Sequence, residues 1–258
     1  MQTKKINDNE LLSMLLEESK KNGASDADII LSKNNGLSLT CRNGFDETIE
    51  QYESYDIGLR VFLGKKNVIL STNDTSEKKL KEFVYKAIEM AKIVPEDQFS
   101  SIASKDLLKD RPPLKNVDLE TFDKNFPKLD DLRTKAFTLE SKALNLSKKI
   151  QSDGSEASWN LSDTTLITSN GFYGRNKKTT NSLSIVLVGE KSNKKERDYD
   201  FSSKVFFEDL DSPEKIANSA TEKVLNKLGS EKPRTGHFPI IFEPRVAKTI
   251  LGHIASSI

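Results

Sequence analysis

The sequence predicts an α+β fold in which one helix–antiparallel-strands–helix unit occurs twice, forming a pseudo-symmetric sheet with helices packed on it. Three observations lead there. Apolar residues recur at three- and four-residue intervals in some stretches and alternate residue by residue in the stretches between them. The order helix, strands, turn, strands, helix is traversed twice. Finally, Asn43-Gly44-Phe45 recurs as Asn170-Gly171-Phe172, 127 residues later, each time about twenty residues after a helix ends. An internal duplication is the economical account, with copies at about 7–94 and 129–229 joined by a crossover at 95–128. A chance likeness of two α+β segments is the competing account. Two copies are too few for a solenoid, which favours a single layered sheet.

The first helix is predicted from about Asn7 to Asn22. Asn7 and Glu10 have the spacing of a capping box, Leu11, Leu12, Leu15 and Leu16 form the buried stripe, and Gly23 ends it. Ile29–Leu31 reads as a compact strand, and Leu37, Leu39 and Cys41 alternate with polar residues in a second. Asn43-Gly44 suits a type I′ turn, which needs positive φ at both positions. Ile57, Leu59, Val61 and Leu63 alternate up to a turn at Gly64–Asn67, and Val68, Leu70 and Thr72 return. Asp74 and Glu77 read as a second capping box before a helix carrying Leu80, Phe83, Val84, Ala87, Ile88 and Ala91, stopped by Pro95. Residues 95–128, with Pro112, Pro113 and Pro127, show no period and read as a long crossover.

The second copy opens with a helix at about Leu129–Lys149, whose three-four spacing (Leu132, Ala136, Leu139, Ala143) suits packing on a sheet better than a coiled coil. Strands are expected at Ala157–Leu161, Thr164–Thr168, Leu183–Leu187 and around Tyr199 and Phe201. Ser212 then caps a helix with Pro213 at its first position and Gly229 after its end. The chain stops at Ile258 inside a pattern that still reads as helix, with Val246, Ile250, Leu251 and Ile254 following Pro244, so a continuation is expected.

Composition excludes several classes. Forty Lys and Arg against 39 Asp and Glu leave +1, which argues against a general nucleic-acid binder. The single cysteine, Cys41, excludes an internal disulfide or a Cys-only zinc site. No apolar run approaches the roughly 18–20 residues that span a bilayer, and the N-terminus has no secretory apolar stretch. A soluble, cytoplasmic protein without membrane or nucleic-acid partners is expected.

The residues offer little chemistry. Neither GxxxxGK[ST], GxGxxG nor GxSxG is present. Cys41 falls on the inward phase of its strand and reads as a buried structural thiol. His237 sits in a turn before an expected strand at Phe238–Phe242. His253 lies on the last helix, where its neighbours at three to five residues are Lys248, Thr249, Ile250, Ser256, Ser257 and Ile258, none a good zinc ligand. The acidic run Asp46-Glu47-Thr48-Ile49-Glu50 would suit a polar groove, an exposed acidic strand being the plainer reading. Lys191–Arg197 reads as a basic hairpin loop without the aromatics that base stacking needs. No catalytic, cofactor-binding or metal position is assigned.

A set of segments in fixed order carries a resemblance. They are GASDADIIL from Gly23, CRNGFDETIEQYESYDIGLRVFLGKK from Cys41, LSTNDTSEKKL from Leu70, WNLSDTTLITSNGFYGR from Trp159, SPEKIANSATEKVLNKLGSEKPRTG from Ser212 and FPIIFEPRVAKTILGHIASSI from Phe238. Together they resemble the N-terminal part of the TldD/PmbA family, in its PmbA (TldE) branch. The resemblance implies an N-terminal α/β domain at 1–236 and, at 237–258, the start of a β-rich C-terminal domain. It also implies dimers enclosing a peptide-accessible chamber, and zinc-dependent proteolysis of small or unfolded peptides, including precursor maturation. In the TldD branch, zinc is held by an HExxxH helix near the position of the last helix here. This chain has His253 there, with no Glu and no second His, so no ligand transfers. It is therefore expected to carry no cofactor itself and to serve as scaffold and substrate-binding subunit beside a zinc-bearing TldD-type partner. A self-sufficient peptidase with its groups beyond Ile258, and a non-proteolytic peptide-binding modulator, are the alternatives.

Overall fold

In the computed structural model, which describes residues 7–109 and 119–257, the elements follow in the order α1 (Asp8–Lys21), β1 (Asp26–Arg42), β2 (Phe45–Leu63), β3 (Lys66–Thr72), α2 (Glu77–Ile93), α3 (Lys105–Lys109), α4 (Leu129–Leu146), β4 (Ile150–Thr168), β5 (Tyr173–Lys191), β6 (Lys194–Lys204), α5 (Pro213–Lys227) and α6 (Pro244–Ala255). Pro112 and Pro113 of the expected crossover lie outside the described residues. The six strands form one antiparallel sheet in the order β3-β2-β1-β4-β5-β6. Two meanders therefore meet at the β1–β4 seam. The seam carries the pseudo-twofold axis: shifting the pair Asn34↔Ser162 by 127 residues turns it into Leu161↔Asn35, which is itself a pair.

Side chains alternate across each strand. One face carries Ile29, Leu31, Leu39 and Cys41 from β1 with Ala157 and Ile167 from β4, and all these are buried. The helices cover that face in two pairs. Leu11, Leu12 and Leu15 of α1 and Leu80, Val84 and Ile88 of α2 pack over Ile57, Leu59 and Val61. Leu132, Ala136 and Leu139 of α4 and Ile216, Ala220 and Val224 of α5 pack over Leu183, Ile185 and Leu187. Burying a side chain of this kind is worth about 1.5–3 kcal/mol, so each helix pair is held by its apolar stripe. Gly189 lets α5 approach β5 closely, since a Cβ there would stand 2.6 Å from Val224 Cγ1.

Several sequence expectations are corrected. Ile29–Leu31 and Leu37–Arg42 are one continuous strand, because Ser32–Gly36 lie in the β1–β4 seam and are paired on both sides. Ala157–Leu161 and Thr164–Thr168 likewise merge into β4. Asn7 caps α1 by accepting from Asn9 N at 3.2 Å, whereas α2 is capped at Ser76 without a side-chain bond; Asp74 instead closes a turn, accepting from Ser76 N at 2.8 Å. On β6 the inward phase belongs to Asp198 and Ser202, with Asp198 paired to Lys227 at 2.8 Å, while Tyr199 and Phe201 stack on the opposite face. Asn43 and Gly44 (φ 54 and 77) form the expected turn, but in the second copy only Gly171 has positive φ and residues 169–172 make a wider loop.

The described parts of the crossover lie against the sheet. Near its start Asn67 donates to Ser100 Oγ, and Ile102 and Leu108 lie by Arg60 and Leu166 on the face without helices, around a cavity of about 270 Å³. It then reaches the outer edge of β5, where Thr179 N donates to Thr121 O at 2.9 Å and the Thr121 hydroxyl to Lys177 O at 2.8 Å. Phe126 finally stacks on Trp159 with ring centroids 5.0 Å apart, on the helix-bearing face.

The chain divides into two compact units after Leu228. In the second unit Pro244 occupies the first turn of α6, and Phe238–Phe242 forms no strand, because no strand of that unit is present to pair with it among the described residues. No helix among the described residues is long and apolar enough to cross a membrane.

Candidate functional site

Besides the two terminal strands, β3 and β6, the sheet leaves open the outer edge of part of β2. Along β1 the strand is paired between Phe45 and Phe62, but β3 pairs only with Ile57–Leu63. The reason is local: the Asp74–Ser76 turn sends the chain into α2 directly after Thr72, so β3 is short. Residues 45–56 thus present backbone N–H and C=O groups outward that no described strand takes up. Such an edge is a ready template for another extended chain. The pseudo-equivalent edge of β5 is closed at Lys177 and Thr179 by Thr121.

Three side chains, Glu140, Tyr52 and Tyr55, hold this edge in place. At its start, Glu140 of α4 reaches under the Asn43-Gly44 turn, accepting from Asn43 N at 2.9 Å and Gly44 N at 2.8 Å, while the Cys41 thiol donates to it at 3.8 Å. Burial, then the Glu140 carboxylate, push the Cys41 thiol up to about 12. In the middle, Tyr52 lies over Gly36, where a Cβ would meet its ring at 2.5 Å, and its hydroxyl donates to Asn160 Oδ1 at 2.7 Å. At the end, Tyr55 donates to Asp8 Oδ1 at 3.2 Å; burial and the Asp8 charge raise its pKa to about 12 and keep it a donor. Asp8 is also paired with Lys33.

The edge is acidic, carrying Asp46, Glu47, Glu50, Glu53 and Asp56. Asp46 is neutralised by Arg133 at 2.9 Å and Glu47 by Arg42 at 3.2 Å. Glu50, Glu53 and Asp56 are exposed and have no ion-pair partner among the described residues. Beside them stand exposed apolar groups, with Phe45 76% accessible and Ile49 and Tyr52 about half.

The sequence candidates distribute as follows. The acidic run Asp46–Glu50 lies on this edge, and Cys41 is buried beneath it. Lys194–Arg197 belong to β6, and Lys191 ends β5 beside the tight Ser192-Asn193 turn. His237 and His253 lie in the second unit, where His253 is the sole donor of zinc-binding type on α6. One imidazole does not make a tetrahedral site, and no group of three potential ligands occurs among the described residues, so the residues present do not fit zinc. Sequence reading missed Glu140, which sat mid-helix among charged residues; its signal was a carboxylate inside the buried stripe next to Leu139. It also missed that half of β2 has no outer neighbour.

Two family models match. Residues 27–91 match the PmbA/TldA metallopeptidase domain 1, and residues 124–228 the central domain of the same family. The chain belongs to the TldD/PmbA family. The metalloprotease PmbA homolog of Haemophilus influenzae is 29% identical over 248 residues, covering 96% of this chain and 54% of that protein. Metalloprotease PmbA of Escherichia coli O157:H7 is 27% identical over 238 residues, covering 92% and 52%. The chain thus spans about half the length of these curated relatives. A crystal structure of a candidate modulator of DNA gyrase from Bacteroides thetaiotaomicron shares the fold at a TM-score of 0.85 and 24% identity, covering 97% of this chain and 57% of that one. TldE from Thermococcus kodakarensis superposes with a TM-score of 0.66 at 16% identity, covering 83% and 47%.

Proposed function

We propose that this chain is a PmbA/TldE-type subunit of a heteromeric zinc-dependent metallopeptidase, and that it captures extended or unfolded peptides while a TldD-type partner supplies the zinc and cuts. The observation that carries this reading is the unpaired edge of β2 over residues 45–56. Main-chain hydrogen bonds along an edge bind an extended peptide with little regard to its sequence, which suits a subunit serving many substrates. Membership of a metallopeptidase family supports the proteolytic context, and the donor set of α6 supports assigning the metal to the partner.

The test mixes the chain with a TldD-type subunit carrying HExxxH and an unfolded peptide, and follows fragments by mass spectrometry. Cleavage is expected with both subunits and none with this chain alone. Full activity of the isolated chain, or binding of peptide without cleavage in any mixture, overturns the proposal.

A further inference from the structure

The charges on the open edge of β2 specify more than edge pairing. We infer that this edge selects cationic strands, with basic residues at every third position. The inference rests on the peptide-capture reading above and adds a substrate class to it.

The unpaired carboxylates are evenly spaced. Glu50, Glu53 and Asp56 stand opposite Ser38, Asn35 and Ser32 of β1, so they recur every three residues along the strand. Glu50 and Asp56 share a face with Tyr52, and Glu53 projects to the helix-bearing face. A strand added to the outer edge has the same alternation, and directly opposite residues share a face. Basic residues at positions one, four and seven of that strand would therefore each meet one carboxylate, at intervals of roughly 10 Å. Three adjacent basic residues would not, since at most one of them would stand directly opposite a carboxylate. Asp46 and Glu47 are already neutralised by Arg133 and Arg42, so selectivity falls on the other three.

The same charges argue against a second copy as the occupant. Antiparallel pairing of two β2 edges about Glu53 would set Glu53 against Glu53 and Glu50 against Asp56, and directly opposed like charges are destabilising. A cationic strand relieves what a second copy would aggravate.

The experiment measures binding of fluorescein-labelled heptapeptides to the chain by polarisation. The probe is Lys-Thr-Val-Lys-Thr-Val-Lys. Three others accompany it: the same peptide with Glu for Lys, a permuted one with the three Lys adjacent, and one N-methylated at alternate residues. The spaced-Lys peptide is expected to bind at least about tenfold more tightly than the Glu or permuted peptides, as three exposed ion pairs allow. The triple variant Glu50→Gln, Glu53→Gln, Asp56→Asn should lose that preference, and added salt should weaken wild-type binding but not the variant's. These side chains are exposed, and an unchanged melting curve checks the variant's fold. Equal binding of the Lys and Glu peptides, or of the spaced and permuted ones, overturns the charge selection while leaving edge capture standing. An N-methylated peptide that binds as well as its parent, or a failure of every peptide, overturns edge capture itself. A chain that dimerises on the β2 edge and excludes the peptides overturns both.

Discussion

Replacing Glu140 with Gln tests how the edge of β2 is held. Glu140 is only 2% accessible, and its two oxygens accept separately from Asn43 N and Gly44 N at 2.9 and 2.8 Å. A hydrogen bond to a charged group contributes about 1.5–3 kcal/mol net. Glutamine keeps one carbonyl acceptor but sets an NH2 group against the other backbone N–H, so one bond is lost and the other loses its charge assistance. The expected destabilisation is about 2–3 kcal/mol, read as a lower urea midpoint at unchanged slope. Ala should cost more, because it leaves both backbone donors unpaired and opens a void beside Cys41. In the Gln variant, amide exchange should quicken first at Asn43, Gly44 and along residues 45–50, and peptide affinity at the edge should fall with it. A Gln variant within about 0.5 kcal/mol of wild type would refute the claim that this carboxylate anchors the hairpin.

Two further predictions follow. Because burial and the neighbouring carboxylate push the Cys41 thiol up to about 12, it should resist a thiol reagent at pH 8 in the native chain and react fully in denaturant; prompt native labelling would contradict its placement. The Arg175 guanidinium, by its hydrogen bonds to Asp163 at 2.8 and 2.6 Å, holds that carboxyl below its ordinary value, with the charges of Arg175, Lys177 and Lys33 adding to the effect against partial burial. A depressed folded pKa stabilises the fold above the unfolded value, near 3.9, and that stability is lost as pH falls through the folded value. Asp163→Asn should therefore cost on the order of 1 kcal/mol at pH 7 and progressively less in acid, measured by denaturation at several pH values; a pH-independent cost would contradict the ion-pair account.

Much of the fold was legible because its signals are local. The stripe Leu11, Leu12, Leu15 and that of Leu80, Val84, Ile88 mark helices by spacing alone, and Ser212-Pro213 with Gly229 marks both ends of α5. The duplication was also visible, since Asn-Gly-Phe returns 127 residues on and the β1–β4 register repeats by the same shift. Polar strand stretches were harder. Ser32–Gly36 has no apolar alternation, because it lies in the seam between the two helix pairs, where little is buried, and only pairing on both sides keeps it extended. The phase of β6 misled for a related reason: Asp198 is inward because Lys227 of α5 meets it there, a partner 29 residues away.

The sequence by itself determined the elements, their order and their twofold repetition, because periodicity, caps and turn residues act within a few residues. It also determined that α6 offers one imidazole and no second ligand. Only the tertiary structure decided that this stretch of β2, inside the sheet order, also has an open edge. The short β3, the Asp74 turn that ends it and the path of residues 119–123 along β5 together leave residues 45–56 unpaired on one side. Whether a backbone group has a partner depends on chain that returns from far along the sequence. The Asp74 turn records locally that β3 is short, but no local pattern records whether distant chain covers the edge left beyond it, and the proposed function rests on that.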